Sequence, residues 1–100
     1  RVQKHADKGN AEAQGGLATL YQTGSMGLKQ SPKRAMQLYE LAAAQGHGSS
    51  QYALGQCYGH GNGCKIYFKA AAEWYRRAAE QGLPPAQCSL GVMFANGEGV

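Results

Sequence analysis

Apolar residues recur at helical spacing in two successive stretches of the chain. The first stripe comprises Ala13, Leu17, Leu20 and Tyr21. The second stripe comprises Ala35, Leu38, Tyr39 and Ala42. Spacings of three and four residues place each set on one face of an α-helix. The pattern therefore predicts a pair of amphipathic helices, here called helix A and helix B, which bury these two stripes.

Glycine, serine and proline mark where these predicted helices begin and end. Gly24 follows helix A, and Gly46 follows helix B at the position where a left-handed residue commonly ends a helix. Ser31 and Pro32 precede helix B as an N-cap followed by proline at the first helical position. The 15 glycines are therefore expected mainly at helix ends.

The helix pair repeats along the chain. The helix A pattern recurs at Leu17, Leu54 and Leu90, offsets of 37 and 36 residues, and the end of helix B recurs as Ala42–Gly46 and Ala78–Gly82. A single pair cannot bury both of its faces, so neighbouring pairs are expected to stack. We predict an all-α fold, an α-solenoid of antiparallel helix-turn-helix repeats. Its predicted divisions are the end of a preceding repeat in 1–10, repeats in 11–47 and 48–83, and a truncated repeat in 84–100. Because the first and last divisions are incomplete repeats, the chain is expected to be a segment of a longer array.

The order of residues within the repeat is itself distinctive. The stretches that carry it are Trp74–Gly82, Ala86-Gln87, Leu90-Gly91, Phe94 and Gly97–Val100. Together they resemble the Sel-1-like repeat family, relatives of tetratricopeptide repeats, over essentially the whole chain. The chain departs from the family pattern at Ala18, at Ser50 and at Tyr67, where a helix-capping Asp or Ser is expected. The resemblance implies a non-catalytic adaptor that holds other proteins or peptides.

Charge changes this interpretation little. The net charge is +4, and the ten Lys and Arg are dispersed from Arg1 to Arg77. An RNA-binding array, suggested by Lys33-Arg34 and Arg76-Arg77, is disfavoured because these pairs fall on helix B, the outer layer of the stack. A regulatory repeat segment of a larger enzyme is a second alternative. No apolar run approaches the ~20 residues of a membrane span, so no membrane partner is expected. The compartment is not predicted beyond a slight preference for the cytoplasm.

Cys57, His60 and Cys64 have a spacing that could supply three zinc ligands. Alignment of the repeats favours another interpretation, because Cys57 takes the place of apolar core residues and Cys64 that of the apolar residue closing the A–B loop. We therefore predict no metal and no cofactor, and a Cys57–Cys64 disulfide stays open. His5, His47 and His60 have no nucleophile or carboxylate at a fixed spacing, so no catalytic residue is predicted.

One face of the A helices remains for a partner once the core is assigned. In stacked helix pairs the A helices line the concave side of the solenoid. The predicted partner-binding groove consists of Thr19, Gln22, Thr23, Gln56, His60, Val92 and Asn96. Such a groove is small, neutral and polar, and the family resemblance implies a protein or peptide as its partner.

Overall fold

Five α-helices in series make up the described part of the chain. The structure is a computed structural model that describes residues 2–99, with side chains described from Asn10 onward. The helices are α1 (Val2–Thr23), α2 (Pro32–Ala44), α3 (Gly48–His60), α4 (Phe68–Glu80) and α5 (Pro84–Asn96). No strand occurs in residues 2–99. The predicted all-α class and helical-repeat solenoid are confirmed, with α1, α3 and α5 as the A helices and α2 and α4 as the B helices.

The sequence signals at helix ends act as predicted. The Ser31 side chain accepts a hydrogen bond from the Arg34 backbone N–H at 3.3 Å, and Pro32 begins α2. The turns that follow α2 and α4 form the same backbone hydrogen bonds, with Gln45 and Gln81 as C-caps. Equivalent residues thus form equivalent turns, which keeps successive helix pairs in the same relative orientation.

Packing proceeds between consecutive helices, which produces two layers. The main interhelical contacts join α1 to α2, α2 to α3, α3 to α4 and α4 to α5. The chain measures 41 × 34 × 18 Å, and the short dimension matches two layers of helices about 10 Å in diameter. Leu54 on α3 is fully buried against residues of α1 and α2, including Ala18 and Tyr39. That cluster joins the first helix pair to the second.

Two expectations about the first helix are wrong. The end of a preceding repeat in 1–10 implies a helix end near Gly9, equivalent to the one at Gly46, but α1 runs without a break from Val2 to Thr23. Leu17 was expected in the core but is 39% exposed, and Ala13 is exposed as well. Leu54, the equivalent of Leu17, is covered by α2, whereas the described residues before Leu17 continue α1 itself and offer no such cover. That residues 1–10 are the end of a preceding repeat stays a prediction.

The second A–B loop and the loop that follows α5 each pack on the start of the B helix of the preceding pair. At Gly63, φ is 85° and an added Cβ atom would lie 2.7 Å from the Pro32 carbonyl oxygen. At Gly99, φ is 71° and a Cβ atom would lie 2.5 Å from the Phe68 carbonyl oxygen. Only glycine meets both the left-handed conformation and the close approach at these two positions. The loops therefore lie side by side along one edge of the molecule, here called the loop edge.

Candidate functional site

Two cavities of similar size open between consecutive A helices, each over the tyrosine of a B helix. The first, the α1–α3 cavity, has a volume of about 240 Å³ and is lined by Thr19, Ser50 and Ala53 among others, with Tyr39 of α2 beneath. The second, the α3–α5 cavity, also has a volume of about 240 Å³ and contains Tyr75 of α4. Tyr39 and Tyr75 are equivalent residues, 36 positions apart. The two linings share three pairs of equivalent residues, Thr19 with Gln56, Tyr39 with Tyr75, and Ala53 with Ser89.

Side chains occupy the space over the tyrosine hydroxyl in the first helix pair. The Tyr39 hydroxyl donates a hydrogen bond to Gln22 Oε1 at 3.1 Å and lies 2.8 Å from the Thr19 hydroxyl. Burial raises the pKa of Tyr39, and the hydrogen bond with Thr19 opposes part of the rise. The polar group at the base of the α1–α3 cavity is therefore already satisfied within the protein.

The α3–α5 cavity differs because Gly59 stands where the first pair has Gln22. A Cβ atom at Gly59 would lie 3.6 Å from the Tyr75 hydroxyl, so the glycine leaves the space in front of that hydroxyl empty. Burial raises the pKa of Tyr75 to about 12, with a smaller upward effect of Tyr52 and a hydrogen bond with Ser89 that lowers it. The Tyr75 ring is also fixed by the ring of Tyr52, whose centroid is 5.7 Å away.

The walls of the α3–α5 cavity combine apolar and polar side chains. Its apolar wall consists of Phe68, Val92 and Met93. Its polar groups are Gln56, His60, Cys88, Ser89 and Glu98. Val92 is 54% exposed and Phe68 is 39% exposed, whereas Met93 is 5% exposed and lies at the base. The cavity therefore offers an apolar interior with hydrogen-bonding groups around it, the usual arrangement of a site that takes one side chain of a partner.

The predicted groove residues separate into three groups in the structure. Gln56, His60 and Val92 line the α3–α5 cavity, and Thr19 lines the α1–α3 cavity. Gln22 is half-buried and holds the Tyr39 hydroxyl.

Three of the predicted groove residues lie outside the linings of both cavities, namely Gln22, Thr23 and Asn96. Thr23 is exposed and donates to the backbone of its own helix, and Asn96 is exposed at the end of α5. Sequence reasoning also missed several members of the α3–α5 cavity, chiefly Tyr75 and Glu98. The alignment of Gly59 with Gln22 was the signal that could have located the cavity.

Positive charge is absent from two of the three A helices. Helices α3 and α5 contain no Lys or Arg. On the B helices, the Arg34 guanidinium lies 5.5 Å from the centroid of the Tyr21 ring, and that of Arg77 lies 4.6 Å from the Trp74 ring. Arg76 contacts Glu73 at 3.6 Å. Three of the four cations in the two pairs that suggested RNA binding are thus engaged within the protein.

The three cysteines occupy different environments, and all are thiols in the structure. Cys57 is 1% exposed, which confirms its predicted place in the core. Burial, with smaller effects of Cys64 and Glu40, raises the pKa of Cys57 to about 11. The Cys64 thiol donates to the Cys57 carbonyl oxygen at 3.7 Å, and Cys88 is exposed. Among the residues whose side chains are described, no three His, Cys, Asp or Glu lie together as metal ligands would.

These helix pairs, repeated with the same turns and the same tyrosine-based cavities, define a helical repeat protein of the α-solenoid class. The Sel1 repeat family model matches residues 11–47, 48–83 and 84–100, and the chain belongs to this family. Sel1 repeat proteins generally serve as protein-interaction scaffolds and are typically non-catalytic. In the described part of the chain, no helix has the length and apolar character to cross a membrane.

Solved structures with the same fold include two bacterial proteins. A Sel1 repeat protein from Oxalobacter formigenes is 35% identical with a TM-score of 0.88, over 91% of this chain and 37% of that one. A protective antigen of uropathogenic Escherichia coli with an SLR fold, c5321, is 37% identical with a TM-score of 0.88, over 90% of this chain and 19% of that one. The chain therefore spans well under half the length of either protein. No curated protein matches the chain.

Proposed function

We propose that the chain is a non-catalytic scaffold segment that binds a peptide or a peptide-like segment of a protein along the face of α1, α3 and α5. The α3–α5 cavity receives one apolar side chain of that partner. The groove residues Gln56, His60 and Val92 border this cavity and make the surrounding contacts. Thr19 extends the same face toward α1.

The observation that carries the proposal is the missing side chain at Gly59. In the first helix pair, Gln22 satisfies the buried tyrosine hydroxyl, whereas Gly59 leaves the space over Tyr75 open. A partner side chain can therefore enter the second pair at the place that the protein's own glutamine occupies in the first. A volume of about 240 Å³ suits a single large apolar side chain rather than a cofactor. Anchors of this kind usually supply most of the affinity of an interface.

The non-catalytic part of the proposal rests on the family and on the cavity itself. Cys88 and His60 line the same cavity, and a thiol with a neighbouring imidazole is one arrangement that activates a nucleophile. Such activation is usually accompanied by a hydrogen bond between the two groups. The hydrogen bonds formed within residues 10–99 do not include one between Cys88 and His60. The cavity is thus better suited to binding than to catalysis.

The proposal is tested by filling the cavity with the residue that the first repeat carries. Peptides that bind the chain are selected from a random peptide library displayed on phage, and the affinity of a synthetic copy is measured by calorimetry. Gly59→Gln is expected to weaken binding about tenfold or more, because the new side chain occupies the anchor position. An added Cβ atom there meets its neighbours at 3.6 and 3.7 Å, so the fold accommodates it.

The matched control is Gly91→Gln, because Gly91 also lies in an A helix and a Cβ atom there has no neighbour within 4 Å. A second pair of variants compares Val92→Glu with Leu41→Glu, since the two side chains are 54% and 53% exposed but Leu41 lies on α2. Binding should be lost in Val92→Glu and retained in both controls. Equal affinities for Gly59→Gln and Gly91→Gln would refute the assignment of the cavity.

A further inference from the structure

The second A–B loop presents three consecutive apolar residues to solvent. Ile66 is 53% exposed, Tyr67 is 57% exposed and Phe68 is 39% exposed. The equivalent residues in the first repeat are Gln30, Ser31 and Pro32. A contiguous exposed apolar segment on a small protein commonly marks an interaction site.

Helix capping in the second repeat is weaker because of this segment. Ser31 caps α2 with its side chain, whereas Tyr67 holds the N-cap position of α4 and forms no side-chain cap hydrogen bond. The Tyr67 ring instead rests edge-on against the Tyr58 ring, with centroids 6.2 Å apart. Tyr67 thus lowers the stability of α4 and exposes an aromatic ring, which indicates that it serves a function other than stabilising the fold.

Lysines surround the apolar segment on the loop edge. Lys65 and Lys69 flank it in sequence, and Lys29 and Lys33 hold the same places in the first repeat. All four lysines are exposed. The two loops are neighbours, since Gly63 of the second approaches the backbone of Pro32 and Lys33 in the first.

Negative charge is sparse on this edge. Residues 24–39 and 61–72 contain no Asp or Glu. Glu40 lies near Tyr58 and Cys64, and Glu98 lies in the α3–α5 cavity beside Phe68. Met26, 83% exposed in the first A–B loop, adds a further apolar side chain. The loop edge thus combines net positive charge with protruding apolar side chains.

We propose that the loop edge binds the surface of an anionic lipid bilayer, with Ile66, Tyr67 and Phe68 entering the headgroup region and the four lysines facing lipid phosphates and carboxylates. Aromatic and aliphatic side chains flanked by lysine are the composition that binds at such interfaces. An acidic protein segment is the other anionic partner. Lysine is a point charge without fixed geometry, which suits a diffuse lipid surface, whereas recognition of single carboxylates favours bidentate arginine.

A peripheral contact of this kind is compatible with the absence of a membrane-spanning helix among the described residues. The sequence excluded a membrane partner only because no apolar run is long enough to span the bilayer. A loop that binds at the membrane surface needs no such run. The contact and the α3–α5 cavity share Phe68, whereas Ile66 and Tyr67 do not line that cavity, so changes at these two residues test the membrane contact separately.

The test is flotation of the chain with vesicles of phosphatidylcholine alone or of phosphatidylcholine mixed with phosphatidylserine. We expect binding only to the mixed vesicles, and binding should fall as salt is added. The double variant Ile66→Gln, Tyr67→Ser copies the first repeat, restores a capping residue and should weaken vesicle binding about tenfold. Lys65→Glu, Lys69→Glu should weaken it comparably.

Control variants separate this inference from the proposed peptide binding. Leu41→Gln alters an equally exposed apolar residue away from the loop edge, and Gly59→Gln fills the cavity, so both should bind vesicles like the unaltered chain. Circular dichroism confirms that each variant is folded. Equal binding to both kinds of vesicle, or none to either, would overturn the proposal. The proposal would also be overturned if the chain bound soluble polyglutamate but no vesicles, and if the Ile66 and Tyr67 changes abolished that binding.

Discussion

The stacking of the two helix pairs depends on Leu54, and its replacement by alanine gives a quantitative test. Leu54 is fully buried in the cluster that joins α3 to α1 and α2. Leu54→Ala removes three carbon groups, which at roughly 0.8 kcal/mol each lose about 2.4 kcal/mol of transfer free energy. The cavity left behind adds to this loss, so the free energy of unfolding should fall by about 3–4 kcal/mol.

The equivalent change in the first repeat supplies the control. Leu17 is 39% exposed, so Leu17→Ala loses only part of the transfer free energy and leaves no enclosed cavity. Its expected loss is about 1 kcal/mol. Urea denaturation followed by circular dichroism measures both values, and a matching thermal melt should place Leu54→Ala at least ~12 °C below the unaltered chain. Equal losses at the two leucines would refute the conclusion that α3 packs on the first pair through Leu54.

Four further predictions concern the loops and the thiols. Gly63→Ala should lower the free energy of unfolding by about 2 kcal/mol or more, because it adds a backbone clash to left-handed strain. The control Gly82→Ala should lower it by only about 1 kcal/mol, since the added Cβ atom has open space. Similar denaturation midpoints for the two variants would contradict the packing of the loop. Tyr67→Ser should raise stability by about 1 kcal/mol by supplying the missing cap, and an unchanged melting temperature would count against that explanation. Maleimide should label Cys88 rapidly and Cys57 only after unfolding, as mass spectrometry of digests can measure. Because the pKa of Cys57 is raised from 9.0 to about 11, the contribution of this thiol to stability should be constant below pH 9 and be lost between pH 9 and 11. Burial of Tyr75 acts in the same direction above pH 10, so the unaltered chain is compared with Cys57→Ala; a stability difference that does not change between pH 9 and 11 would contradict the buried thiol.

The features predictable from sequence are those that a short segment determines alone. Ser31, Pro32 and Gly46 act through their own backbone and immediate neighbours, so their spacing located the ends of α2 and its repeat. The burial of Cys57 followed from alignment, because a position that is apolar in each repeat faces the same core.

The errors arise where the outcome depends on what lies across the interface. Leu17 and Leu54 have the same sequence context, yet only Leu54 has a helix over it. The break expected at Gly9 is absent although α2 ends just before Gly46, so a glycine alone does not determine where a helix ends. The cavity over Tyr75 depends on two helices, because Gly59 of α3 has no side chain and the Tyr75 ring of α4 lies beneath the space left open. The pattern of a single helix therefore does not reveal the cavity.

The most direct test of peptide binding on the A-helix face is amide chemical-shift mapping. The isotope-labelled chain is titrated with a peptide selected from the phage library, and the shift of each backbone amide is followed. We expect the largest changes around the α3–α5 cavity, at Gln56, Gly59, His60 and Val92, and small changes along α2. Changes concentrated on the exposed faces of α2 and α4, with the cavity residues unaffected, would contradict it.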